Sequence, residues 1–211
     1  NSKKRPKTLV DKFYYPRLGA GMLWEKFEEH ITNKGIEVTK NKKVTAVKRS
    51  EDNFMITYED TEGSKTTIES QDVFFSNPLL EFIAIYDSEV PQSVIDSAKA
   101  LNYRNHISVH ITIDKKLFDD NWIYIHSPNL DMARIADFTN FSDDMSEVGT
   151  YPLTLEYFCF EDDDIWNKQN KDIIDFALKE LRNIFDDEFN VIHSEVSRNA
   201  NAYPVIKTGY Q

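Results

Sequence analysis

Residues 106–113 read His-Ile-Ser-Val-His-Ile-Thr-Ile, an alternation of polar and apolar side chains without a break. Period two is the signature of a β-strand with one face on a core. Ile107, Val109, Ile111 and Ile113 share one face, and His106, Ser108, His110 and Thr112 share the other. Parallel sheets covered on both sides read as continuous apolar runs, so this alternation points to an antiparallel sheet. An all-helical fold is thereby excluded, and partner strands are required. Residues 122–126, 132–138 and 153–160 fit as those partners, with a last strand over about 191–196. Helices are expected over 94–101, following Pro91, and over 172–185, where Ile174, Leu178, Leu181 and Phe185 fall on one stripe.

The first part of the chain has a different texture. Residues 1–17 form a lead-in whose opening is basic and without periodicity. A helix is expected next, because Leu23, Phe27 and Ile31 recur at i, i+4 and i+8 beside Trp24, while Glu25, Lys26, Glu28 and Glu29 face outward. Gly35 stands where a helix C-terminal cap would stop it. Short strands are expected at 36–39, 44–48, 54–58 and around 66–68, with Glu51-Asp52-Asn53 and Glu62-Gly63-Ser64 supplying turn chemistry. Val73-Phe74-Phe75 is a continuous apolar run, the kind of strand buried on both faces, ending at Ser76-Asn77-Pro78. The expected fold class is α+β. A partial α/β piece at 18–78 precedes a domain of mixed or antiparallel sheet with helices at 79–211.

Aromatic residues are plentiful, 14 Phe and 10 Tyr, enough for a packed core. The formal charge of −11 repels polyanions at long range, so nucleic acid is not an expected partner. Cys159 is the only cysteine, which excludes an intrachain disulfide and a thiolate metal cage. No apolar stretch approaches the roughly 18 residues of a membrane span, and no signal peptide opens the sequence; a reducing, cytoplasmic setting is expected. His106 and His110 share a face but stand roughly 13 Å apart at strand rise, too far to bind one ion, so no metal site is expected. The run Glu161-Asp162-Asp163-Asp164 lacks the spacing of a calcium loop and reads as a solvated connection ahead of a helix. Asn140-Phe141-Ser142 matches a glycosylation acceptor, without other signs of secretion. Glycine occurs only at 19, 21, 35, 63, 149 and 209, so no Gly-x-Gly-x-x-Gly can be assembled. Gly19-Ala20-Gly21 could let backbone approach a phosphate, but a tight turn before the helix is the commoner use of such glycines.

Four stretches taken together resemble flavin-dependent oxidoreductases related to protoporphyrinogen oxidase, monoamine oxidase and, more distantly, UDP-galactopyranose mutase. They run Phe13-Tyr14-Tyr15-Pro16-Arg17-Leu18-Gly19-Ala20-Gly21-Met22-Leu23-Trp24-Glu25, Asn121 to His126, Leu155 to Phe160, and Ala202-Tyr203-Pro204-Val205 followed by Gly209-Tyr210. They span most of the chain in the family's order. Ala20 departs from the pattern, which usually has proline there.

The resemblance implies that 18–78 is the returning part of an FAD domain, that 79–211 is a substrate domain, and that the pyrophosphate-binding glycines lie upstream in a longer protein. FAD is then the cofactor of that longer protein, with none bound to this piece alone. Val44 matches the valine whose backbone meets adenine; an ordinary sheet valine is the alternative. Tyr15, Arg17, Tyr203 and Pro204 are expected to wall a small-molecule substrate, with Arg17 gripping an anionic group; plain packing between domains is the alternative for the tyrosines. No catalytic residue is identified. The implied activity is flavin-dependent oxidation or sugar rearrangement in polysaccharide or lipopolysaccharide biosynthesis, lost in the isolated piece. A binding or scaffold module with the same fold is the other reading.

Overall fold

The computed structural model describes residues 13–206 and Thr208. Helix α1 (Ala20–Thr32) is followed by strands β1 (Lys43–Ser50), β2 (Asn53–Glu59) and β3 (Lys65–Ser70), then by helices α2 (Leu79–Ile85) and α3 (Gln92–Lys99). Strands β4 (Tyr103–Ile113), β5 (Trp122–Tyr124), β6 (Arg134–Asp137) and β7 (Tyr151–Cys159) come next, then helices α4 (Asp164–Asn167) and α5 (Asn170–Ile184) and strand β8 (Val191–Pro204). The chain is α+β, as the alternating and helical periodicities require. It divides into two compact units: 13–35 with Asn105–Asn199, and Ile36–Arg104 with the described residues from Ala200 to 206 and Thr208.

In the first unit the strands lie in the order β5-β6-β7-β4-β8. β4 pairs antiparallel with β7, His106 opposite Phe158 and Ile113 opposite Tyr151, and β6 pairs antiparallel with β7. Period two then segregates the faces. Ile107, Val109, Ile111 and Ile113 meet Leu153, Leu155, Tyr157, Cys159 and Ile135, all buried, and Ile173, Ala177 and Leu181 of α5 complete this core. Each large aliphatic chain buried there contributes about 1.5–3 kcal/mol. The buried stripe of α5 is rotated from the expected one: Ile174 and Leu178 are half-buried, and the innermost positions are Ile173, Ala177 and Leu181. Ala177 lets the helix approach the sheet closely, so a position without bulk takes the centre. Glu180, also on α5, is buried and accepts hydrogen bonds from the backbone N–H of Asp131 (2.7 Å) and Met132 (3.1 Å). That carboxylate ties the loop before β6 to the helix.

The second unit is a three-stranded antiparallel meander, β1-β2-β3, with α2 and α3. Among its described residues the buried apolar ones are few: Val47, Ile56 and Ala98. Two expected strands are absent. Residues 36–39 and 73–75 are irregular, Ile36 is 53% exposed and Phe74 is 98% exposed. A strand buried on both faces needs a neighbour on each side, and neither segment joins the β1-β2-β3 sheet. Phe75 packs on Phe82 of α2 instead, with ring centroids 4.9 Å apart. Helix α2, whose sequence Leu-Leu-Glu-Phe-Ile-Ala-Ile shows no period, was not expected. Immediately after it, Tyr86 makes a parallel bridge to Val47, and the Asp87 N–H donates to the Val47 carbonyl at 2.8 Å. Among the described residues, no helix is long and apolar enough to cross a membrane.

Candidate functional site

Alternation leaves β4 and β7 with a second face opposite the apolar core, and that face is polar although much of it is buried. Ser108, Thr154 and Glu156 are buried there, and His106 and His110 are half-buried. Register brings them together, since Ser108 stands opposite Glu156, His110 opposite Thr154, and Arg134 of β6 opposite Glu156. Arg134 donates from Nε to Glu156 Oε2 at 2.7 Å, and its Nη2 closes on the same oxygen. His106 Nε2 lies 3.6 Å from that oxygen as well. At that distance it is an electrostatic neighbour rather than a hydrogen-bond partner, so Arg134 carries the pairing. Burial pushes the Glu156 carboxyl up, but His106 and Arg134 outweigh it and hold the carboxyl below the usual glutamate range.

One row along, His110 Nδ1 is 2.9 Å from the Thr154 hydroxyl, and Nε2 is 3.3 Å from that of Ser197 on β8. At the β5 edge, Tyr124 lies under the Arg134 guanidinium, 5.7 Å from ring centroid to Cζ. Trp122, two residues earlier, shares that face. It stacks near Phe141 (5.9 Å) and meets Phe13 (6.0 Å). The shared face of His106 and His110 was legible from spacing. Arg134, Thr154, Glu156 and Ser197 were missed, because only strand register assembles them. The signal within β7 was available: Leu153, Leu155 and Tyr157 point one way, so Glu156 must point the other.

The expected substrate residues fall in different units. Tyr15 and Arg17 belong to the first. Tyr15 is half-buried with its ring 4.7 Å from Phe141, and Arg17 Nη1 is 3.0 Å from Asp144 Oδ2. Arg17 therefore already has a carboxylate partner, in an exposed ion pair of the kind worth about 0–1 kcal/mol, which an anionic ligand could displace. Tyr203 and Pro204 belong to the second unit, where Tyr203 is 50% exposed and Pro204 is exposed. Gly19 adopts φ 91°, its N–H donates to the Pro16 carbonyl at 2.9 Å, and a Cβ there would meet Met145 Cε at 3.1 Å. It serves the turn ahead of α1 and the packing against Met145. Asn140 Nδ2 donates to the carbonyls of Phe118 (3.2 Å) and Asp120 (2.7 Å), which occupies the nitrogen a glycan would need.

In the second unit Val44 lines a cavity of about 660 Å³ with Lys42, Lys43, Phe75, Asn77 and Glu81. The ladder between β1 and β2 slips by one residue between Val44 and Ala46. Such a bulge takes a residue out of the pairing, here Thr45, while Val44 keeps Tyr58 as its partner. Cavity size, mixed apolar and polar lining and an interrupted strand suit the nucleoside half of a dinucleotide cofactor. A larger recess, about 850 Å³, lies at the end of β4 and includes Asp114, Lys115, Arg182 and Asn190. Four of its polar residues pair with one another: Asp114 accepts from the Asn190 N–H and Nδ2, and Lys115 pairs with Asp187 at 2.7 Å. Among the described residues, no group of three or more His, Cys, Asp or Glu is arranged to hold a metal ion.

A family model described as flavin containing amine oxidoreductase matches residues 7–211. A curated relative, the 15-cis-phytoene desaturase (chloroplastic/chromoplastic) of Capsicum annuum, is 28% identical over 186 residues, covering 85% of this chain and 30% of that protein. Reduced UDP-galactopyranose mutase superposes with a TM-score of 0.75 at 14% identity, over 92% of this chain and 41% of its own. An Exiguobacterium protein assigned as a protoporphyrinogen oxidase gives a TM-score of 0.71 at 13% identity, over 90% of this chain and 41% of its own. At such identities the structural likeness speaks for the fold. The chain spans less than half the length of each of these proteins.

Proposed function

Because the chain belongs to the flavin containing amine oxidoreductase family, we propose that it is the substrate-domain portion of an FAD-dependent oxidoreductase, with part of the FAD domain attached. In this reading 18–78 is the FAD-domain part and 79–211 the substrate domain. The observation that carries the proposal is the Val44 cavity, which supplies backbone at an interrupted strand and room for adenosine. FAD, when bound, supplies the redox centre. The residues of this chain bind and orient: Val44 presents its backbone to adenine, and Tyr15, Arg17, Tyr203 and Pro204 contribute to the substrate wall. A reducing, cytoplasmic setting and a substrate from polysaccharide or lipopolysaccharide assembly complete the proposal. The likeness to a sugar mutase favours the latter.

Two measurements test it. The chain purified alone should be colourless and inactive, since the sequence contains no glycine turn to cradle a pyrophosphate; stoichiometric flavin absorbance would overturn that boundary. In the longer protein, Val44→Ile should leave FAD affinity nearly unchanged, whereas Val44→Pro, which removes the N–H, should weaken it. Equal loss with both would mean that Val44 only packs.

A further inference from the structure

We infer that the polar face of the β6-β7-β4 sheet takes a neutral, multiply hydroxylated ligand of the sugar class. This rests on the reading above that the substrate domain holds the substrate. Charge is the first argument. Arg134 and Glu156 sit against each other and cancel, so neither an ammonium nor a carboxylate or phosphate finds an uncompensated counter-charge at this pair. A cationic ligand would approach Arg134, and an anionic one would approach Glu156. Both would be desolvated without a partner, which costs more than binding returns.

A hydrocarbon fails for a different reason. It would seal the Oε1 of Glu156, which takes part in none of the contacts of that carboxylate, beneath an apolar surface and offer it no hydrogen bond. Hydroxyl groups avoid both penalties, because each can donate and accept. The Arg134 and His106 contacts of Glu156 all fall on Oε2, which leaves Oε1 to accept from a ligand hydroxyl. The His110 pair with Thr154 and Ser197 consists wholly of groups that reverse donor and acceptor roles by rotation or tautomer. Trp122 and Tyr124 border the same face, 39% and 58% exposed, and offer ring surfaces to the C–H faces of a pyranose. Aromatic surface beside a row of hydrogen-bonding groups without net charge is what a neutral sugar requires.

The test is a titration of the isotope-labelled chain with galactose, followed by NMR on the His106 and His110 imidazoles and the Trp122 indole. Putrescine and octanoate serve as cationic and anionic probes. Saturable galactose shifts at these three residues are expected, with affinity reduced about tenfold or more in both Glu156→Gln and Tyr124→Ala. The inference is overturned if galactose gives no saturable shift, if affinity is unchanged in the variants, or if either charged probe binds this face more tightly. Tyr124 is exposed, so Tyr124→Ala decides the matter if Glu156→Gln does not fold. ADP is titrated separately into the longer protein freed of flavin, where the pyrophosphate-binding glycines are expected, and read on the Lys43 and Val44 amides. Galactose binding without an ADP response removes the flavin reading alone, and an ADP response without galactose binding removes the sugar inference alone.

Discussion

Glu156→Gln takes away the carboxylate that Arg134 and His106 share while keeping the shape of the side chain. Removing one partner of a fully buried ion pair costs about 3–5 kcal/mol, because the other charge is left desolvated. Here the Glu156 side chain is 11% exposed but that of Arg134 is 29% exposed, so water relieves part of the penalty. The amide oxygen also remains as a weaker acceptor. The expected loss is therefore about 2–3 kcal/mol, or a fall of roughly 1 M in the urea midpoint at a slope near 2.5 kcal/mol/M. The slope itself should not change. Dependence on pH gives an independent check of sign. The folded carboxyl lies below its ordinary value, so its stabilisation is fully present above the unfolded glutamate pKa of about 4.3 and is lost as pH falls through the lower folded value. The gap between wild type and variant should hold from neutrality down to that region and then close. A loss under about 1 kcal/mol at pH 7, or a gap that widens on acidification, would refute the claim that Arg134 and Glu156 form a coupled pair.

Glu180→Ala should cost about 3 kcal/mol, because Met132, with its N–H, is buried and loses a charged acceptor, and Glu180→Gln about half as much. Urea denaturation measures both, and exchange of the Met132 amide should accelerate in step; a neutral Glu180→Ala would mean that water replaces the carboxylate. Gly19→Ala should destabilise by about 1–2 kcal/mol, through its φ of 91° and the contact with Met145, and Met145→Ala should recover only the contact part. Full recovery in that double variant would show that backbone strain at Gly19 is negligible.

The first unit was legible in the sequence because its elements carry their own periodicity. Residues 106–113 alternate strictly and form the last eight of the eleven residues of β4, and the apolar set of β7 follows the same rule. The two strands expected at 36–39 and 73–75, neither of which forms, show the limit of that reasoning. A short apolar run states that a segment can be buried, and only a neighbouring strand determines whether it is. Phe74 at 98% exposure has apolar character and no such neighbour in the β1-β2-β3 sheet. Helix α2 was missed for the complementary reason: seven residues with one polar position cannot display a helical period.

The polar sheet face was half legible, and the missing half is informative. Spacing alone placed His106 and His110 together, whereas Arg134 and Glu156 meet across β6 and β7 through a register that sequence does not state. Once assembled, that face is an anomaly of stability. A sheet with an apolar core on one side gains nothing by burying Ser108, Thr154 and Glu156 on the other, and apolar replacements of similar volume would often match or exceed the ion pair. Local rules of folding are broken in this way chiefly where a surface serves something other than folding. The apolar side of β4 and β7 is explained by core packing, with α5 as its main cover. For the opposite side the described residues supply internal pairings, Glu156 with Arg134 and His110 with Thr154, that hold side chains in fixed orientation. Preorganised polar groups on a rigid sheet are the arrangement that ligand recognition needs, so chemistry is to be sought on this face before the loops around it.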